Sequence, residues 1–165
     1  MKKFLMAGIA VFIIGCGGEA FIEVGATDGA LDGTLGDLVM RVLQIDIPEE
    51  GSYTTIWNTG KEITVGVLSS DFVSITDGVL SIPPGTYSNI RLTIDSLRYV
   101  SDSTVMLIDT AYTFTADAFT PILIDENDEL TLVVNINSAA WFDPDSMVLI
   151  GEPFDQAALR IYYQY

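Results

Sequence analysis

A two-residue rhythm of apolar and polar side chains most constrains what this chain can fold into. Ile90, Leu92 and Ile94 alternate with Arg91, Thr93 and Asp95, and Ile63, Val65 and Val67 alternate with Thr64 and Gly66. Such alternation puts one row of side chains inward and one outward on a half-buried strand. Within the aliphatic stretch 38–47, Val39, Leu43, Ile45 and Ile47 are expected on one side. Shorter apolar runs follow at 72–75, 79–82, 105–108, 112–114, 119–124, 130–136, 147–150 and 159–163. Turn formers divide them at Asn58-Thr59-Gly60, Asp77-Gly78, Pro83-Pro84-Gly85, Asp125–Glu129 and Asp143-Pro144-Asp145. Many short strands at turn spacings of about 8–12 residues predict an all-β fold, here a single antiparallel β-sandwich over residues 37–165. Asp77-Gly78, between Val73-Ser74-Ile75 and Val79-Leu80-Ser81-Ile82, predicts a two-residue hairpin. No helix longer than a turn or two is expected after the first sixteen residues.

Those first residues follow a different pattern. Lys2-Lys3 precede an apolar run, Phe4–Ile14, which ends at Gly15 and the single cysteine, Cys16. The run is too short for a bilayer span, which needs about 20 residues. A basic start, a short apolar core and a small residue fit a secretory signal, expected as a signal helix over 1–15. Ile13-Ile14-Gly15-Cys16 resembles a lipobox, in which the cysteine thiol is converted to a thioether-linked diacylglycerol and cleavage frees its amine for a further acyl chain such as palmitate. Cys16 is therefore the expected lipidation site; the competing reading is an ordinary signal with a free thiol. Gly17, rather than aspartate, follows the cysteine, which favours an outer over an inner membrane if the organism has both. Residues 16–36 are rich in Gly, Ala, Thr and Asp and read as the lipidated cysteine plus a flexible tether.

Charge narrows the partners. Without Lys2 and Lys3 the remaining chain has five basic residues against 23 acidic ones, a side-chain charge of −18. Nucleic acid and anionic headgroups would be repelled. With no histidine in the chain, the commonest general base and zinc ligand is missing, and a Ser-His-Asp arrangement cannot be built. A Ser-Lys pair would have to use Lys61, which nothing in its surroundings marks out. A lone cysteine allows no internal disulfide.

The stretch Leu80-Ser81-Ile82-Pro83-Pro84-Gly85-Thr86-Tyr87-Ser88-Asn89-Ile90-Arg91-Leu92-Thr93-Ile94 resembles a recurrent piece of bacterial surface lipoproteins, in which a Pro-Gly-x-Tyr turn leads into an Ile-Arg-Leu strand. The chain is similar over residues 38–137 to a bacterial lipoprotein domain-of-unknown-function family, with a weaker likeness after Val100. The resemblance implies an Ig-like or transthyretin-like, carbohydrate-binding-like β-sandwich and supplies no catalytic residues. On physical grounds alone, Pro84 presets a turn φ, Gly85 can take the positive φ of a type II turn, and Tyr87 can bury its ring while its hydroxyl finds a partner near the turn.

Each candidate site in the sequence has a plainer role beside the functional one. Asp125-Glu126-Asn127-Asp128-Glu129 could bind Ca²⁺ through Asp125, Asn127 and Asp128, but a solvated turn is the simpler reading. Asp28, Asp32 and Asp37 are too loosely spaced for a calcium loop. Trp57, Trp141 and Phe142, with Tyr162, Tyr163 and Tyr165, could stack on sugar rings, or Trp57 and Phe142 could plug the core. Asp143 and Asp145 could act as a glycosidase pair, which needs carboxyl groups about 5–9.5 Å apart across a cleft; Asp-Pro-Asp is more simply a turn. Leu159, Ile161, Tyr163 and Tyr165 alternate like the last strand of an outer-membrane barrel, against which the shortness of most runs counts. The sequence thus leads to a lipid-anchored, non-enzymatic β-sandwich of the cell envelope. It would act in binding or assembly, with a membrane anchor, an envelope protein or glycan partner, no nucleic acid and no cofactor. The alternatives are a glycan- or Ca²⁺-binding module and a small outer-membrane β-barrel.

Overall fold

A computed structural model describes residues 18–29 and 35–162. They form an all-β fold: thirteen strands and one turn of 3₁₀-helix at Ser138–Ala140. The strands are β1 (Ala20–Thr27), β2 (Asp37–Glu49), β3 (Ser52–Trp57), β4 (Lys61–Gly66), β5 (Val73–Ser74), β6 (Leu80–Ile82) and β7 (Gly85–Val100). They continue with β8 (Thr104–Ile108), β9 (Tyr112–Ile124), β10 (Glu129–Asn135), β11 (Phe142–Asp143), β12 (Val148–Leu149) and β13 (Ala158–Tyr162). Eleven strands make one sheet in the order β3-β2-β7-β9-β13-β10-β1-β5, with β4 also on β2, β6 on β1 and β8 on β7; β11 and β12 pair separately.

The sheet curls so that its inner face encloses the core. Ile22 and Val24 of β1, Leu38 and Met40 of β2, Ile90, Leu92 and Ile94 of β7 and Leu132 and Val134 of β10 are all buried. Each such side chain contributes roughly 1.5–3 kcal/mol by leaving water. One end of the core is aromatic: Phe114 stacks on Phe154 with centroids 4.0 Å apart, Trp141 lies 5.0 Å from Phe154, and Tyr99 lies 4.8 Å from Phe142. Lys61, at the start of β4, ties that strand to β5 and the loop after it: its ammonium donates to the Ser74 carbonyl at 2.8 Å and to the Asp77 carboxylate.

Several expectations change in this fold. The sheet is mixed rather than antiparallel: β1 runs parallel to β10 from Phe21↔Glu129 to Thr27↔Asn135, and β13 runs parallel to β9 at Ala158↔Asp117 and Leu159↔Ala118. β1 itself lies within the stretch that reads as tether. Its Ala20, Ile22, Val24 and Ala26 are fully buried. The Asp77-Gly78 pair does not close a hairpin. β5 and β6 both pair antiparallel with β1, at Gly25–Ala26 and at Ala20–Ile22, and Ile75–Val79 loops out between them. Gly85 opens β7 without a positive φ; among the described residues the glycines with positive φ are Gly36, Gly51, Gly60 and Gly78. In β2, register shifts around Val42 change the parity. The inward set is Leu38, Met40 and Val42, then Ile45 and Ile47; Val39 falls on the opposite face and Leu43 is only half-buried.

Candidate functional site

Among the described residues two aspartates, Asp28 and Asp46, are buried and each collects several hydrogen bonds. Asp28 follows β1. Its Oδ1 accepts the Ser138 N–H at 2.6 Å, and its Oδ2 accepts the Leu68 N–H at 2.7 Å and the Ser138 hydroxyl. Its own N–H donates to Ser69 at 3.0 Å. Burial raises its carboxyl above the ordinary value, and these hydrogen bonds oppose the rise. One aspartate thereby joins the end of β1, the loop after β4 and the 3₁₀ turn. Its flanking residues, Thr27 and Gly29, give no apolar pattern that would announce burial.

Asp46 lies on the outer face of β2. Its Oδ1 accepts from Gln44 at 2.6 Å and Thr55 at 2.7 Å, while its Oδ2 accepts Arg91 Nε and Nη2 at 3.0 and 2.9 Å. Burial alone would raise this carboxyl. The hydrogen bonds from Thr55, Arg91 and Gln44, with the Arg91 charge, carry it below its usual range. The Arg91 guanidinium sits 4.1 Å over the Tyr53 ring, and Tyr53 donates to Asn89 at 3.0 Å. In the sequence Asp46 is a lone acid between Ile45 and Ile47, and only the register of β2 on β7 sets it directly across from Arg91.

The residues singled out from sequence fall in separate places. Trp57 is 8% exposed, Trp141 0% and Phe142 1%. Trp141 Nε1–H donates to Ile136 O at 3.1 Å. All three belong to the core and offer no open ring face for a sugar. Tyr162 is partly exposed and stacks on Phe72 at 5.5 Å. The 125–129 run is a turn between β9 and β10: the Asp125 N–H donates to Asp128 Oδ2 at 2.8 Å, Asn127 has φ 66°, and its N–H donates to Glu19 O at 2.9 Å. Among the described residues no group of three or more Asp, Glu, His or Cys is arranged to hold a metal ion. Asp143 Oδ1 accepts the Asp145 N–H at 3.0 Å and its Oδ2 the Ser146 hydroxyl at 2.5 Å. Those bonds hold its carboxyl below the ordinary value, the reverse of what a glycosidic general acid needs. Lys61 is taken up by Ser74 and Asp77, as described above. Tyr87 matches expectation: its ring is buried and its hydroxyl donates to Pro83 O at 2.5 Å. Residues 1–15, Cys16, Tyr163 and Tyr165 lie outside the described residues.

Two of the open clefts on the surface of the described residues lie apart from these carboxylates. One, of about 350 Å³, is lined by Gly18, Glu19, Ser81, Ile82, Pro83 and Pro84, where the chain enters β1. The other, of about 260 Å³, lies between β9 and Glu152–Asp155. There the Tyr112 hydroxyl is 3.0 Å from both Glu152 Oε1 and Pro153 O. Burial, the bond to Glu152 and the nearby acids push its pKa up to about 12, so it stays a neutral phenol at physiological pH. Among the described residues every buried side-chain nitrogen and oxygen has a hydrogen-bond partner, and no helix is long and apolar enough to cross a membrane. Comparisons with family models, curated proteins and solved structures find no match to this chain.

Proposed function

We propose that this chain is a bacterial lipoprotein: a non-enzymatic β-domain of the cell envelope, held to a membrane by acyl chains on Cys16 and acting by binding or assembly. The observation that carries this reading is the order Lys2-Lys3, a short apolar run, and Ile13-Ile14-Gly15-Cys16. Two or three acyl chains give a stable anchor where one binds marginally, since each buried methylene contributes about 0.8 kcal/mol. The likeness of residues 80–94 to a surface-lipoprotein turn and strand points the same way. Support for a non-enzymatic role comes from the acids themselves: Asp28 and Asp46 are saturated with structural hydrogen bonds, and Asp143 is held ionised by a local turn. Gly17 after the cysteine favours the outer membrane where there is one.

The test is metabolic labelling with a palmitate analogue, followed by fractionation. The wild-type chain is expected to take up label and sediment with membranes. Cys16→Ser should lose both properties while keeping its fold. An unlabelled wild-type chain, or a Cys16→Ser variant that fractionates unchanged, would overturn the anchor.

A further inference from the structure

The distance between the lipid and the domain is set by the point where β1 begins. Only Gly17, Gly18 and Glu19 separate Cys16 from Ala20. β1 is no loose end: β10 pairs along one edge, β6 and β5 along the other, and its inward side chains are fully buried. A further contact holds the residue before it: the Glu19 carbonyl accepts the Asn127 N–H at 2.9 Å. Gly18 lies beside the Glu126 side chain. The chain is therefore held as far out as Glu19. Beyond it, three residues can span at most about 11 Å, at roughly 3.3–3.6 Å per residue.

The end of the sheet where β1 starts is built from Gly18–Glu19, the Pro83-Pro84 turn and the 125–128 turn. Phe21 N–H donates to Asp128 O at 2.8 Å, and Gly85 pairs with Ile124. The Glu49 end of β2 adjoins it, since Pro48 and Glu49 share a hollow with Pro83, Pro84 and Tyr87. The opposite end carries Ser101–Ser103 and the 143–147 turn, which meet through Ser103 and Met147. The two ends are roughly 50 Å apart along β7, which is 16 residues long at about 3.3 Å per residue.

On the lipoprotein reading above, we infer that this chain has no tether, and that the end formed by Gly18–Glu19, Pro83-Pro84 and Asp125–Asp128 is a membrane-facing surface seated directly on the phospholipid headgroups. The charge of that end selects the headgroup. Glu19, Glu49, Asp125, Glu126 and Asp128 gather there, and no Lys or Arg occurs among residues 18–19, 47–50, 81–88 or 124–129. With headgroups inside a Debye length of about 8–10 Å, these carboxylates are repelled by anionic lipid. The partner that fits is a zwitterionic layer, whose outermost group is an ammonium.

The experiment uses the full, acylated chain in phosphatidylcholine vesicles that carry an energy-transfer acceptor on a fraction of headgroups. A fluorescent non-natural side chain is placed at Thr86, at the seated end, or at Asp145, at the far end; both positions are exposed. Transfer should be several-fold stronger from position 86 than from 145. Replacing much of the phosphatidylcholine with phosphatidylglycerol should weaken transfer at 86. A fifteen-residue Gly/Ser insertion between Gly17 and Gly18 should bring the two positions to similar values while the protein stays bound. Equal transfer from 86 and 145 in the unmodified chain, or stronger transfer from 145, would overturn the seating while leaving the anchor intact. A chain that does not bind the vesicles at all would instead refute acylation of Cys16, and the seating with it.

Discussion

Asp28 and Asp46 are both nearly removed from solvent, yet their surroundings push them in opposite directions. Asp28 is raised by burial, so between its unfolded and folded pKa values the native state holds the extra proton. Its contribution to stability is full below the ordinary value of 3.8 and declines as pH rises through the folded pKa. Asp46 is lowered by its hydrogen bonds and Arg91, so its contribution is present above 3.8 and is lost as pH falls through the folded pKa. Urea unfolding should therefore show the advantage of wild type over Asp28→Asn growing as pH drops from 7 towards 4. The advantage over Asp46→Asn should shrink below pH 4. Removing the Asp28 side chain altogether leaves two backbone donors and a hydroxyl unpaired in a buried place. Each unpaired group costs about 1–3 kcal/mol, so Asp28→Ala should lose about 3 kcal/mol or more in the same melts. Gly25 is the other informative single position. A β-carbon there would run into the Phe72 ring and come within 2.7 Å of the Val73 carbonyl oxygen. Gly25→Ala is expected to lower stability by about 1–3 kcal/mol through crowding, measured against a Phe72→Ala, Gly25→Ala double variant that should recover part of the loss.

At the level of elements, the regular strands were legible because one face meets the core and the other meets water. β7 shows this most clearly, with Ile90, Leu92 and Ile94 buried between Arg91, Thr93 and Asp95. β1 was not legible for reasons that its neighbours explain. Alanine at 20 and 26 and glycine at 25 resemble linker composition, yet they are small because other parts pack closely on them; Gly25 lies under Phe72. The bulges of β2 escape periodicity because an extra residue reverses which side faces inward. Pairing is not written in alternation at all, so neither the parallel β1–β10 ladder nor the shared seating of β5 and β6 on β1 could be read. The burial of Trp57 and Phe142 follows from their sequence positions, because a large ring beside a turn fits the end of a core. Truncation separates tether from strand. A chain starting at residue 18 should unfold cooperatively in urea, while one starting at residue 29 should lose near-ultraviolet circular dichroism and cooperativity. Ile22→Ala, which opens a cavity in the same strand, should cost about 2–5 kcal/mol.

For the whole molecule, the dominant quantity is charge. A side-chain sum of −18 without Lys2 and Lys3 sets like charges against one another on a compact surface, and surface pairs such as Arg41–Asp95 and Arg98–Glu62 offset little of it. Screening should relieve this repulsion. Raising salt from 10 mM to 0.5 M is expected to lift Tm by about 2–4 °C, equivalent to roughly 1 kcal/mol in a domain of this size. A Tm that falls or stays level would show that attractive pairs outweigh the repulsion.

The parallel ladder between β1 and β10 also governs the order in which the molecule can be made. Asp28 and Ser138, joined by two hydrogen bonds, stand 110 residues apart in the chain. During synthesis β1 emerges early, and β5 and β6 can cover one of its edges, but its parallel partner does not exist until most of the polypeptide has followed. Such distant closure slows folding and leaves an apolar strand edge bare in the interim. Conditions that stall elongation before residue 129 should favour aggregation over partial folding.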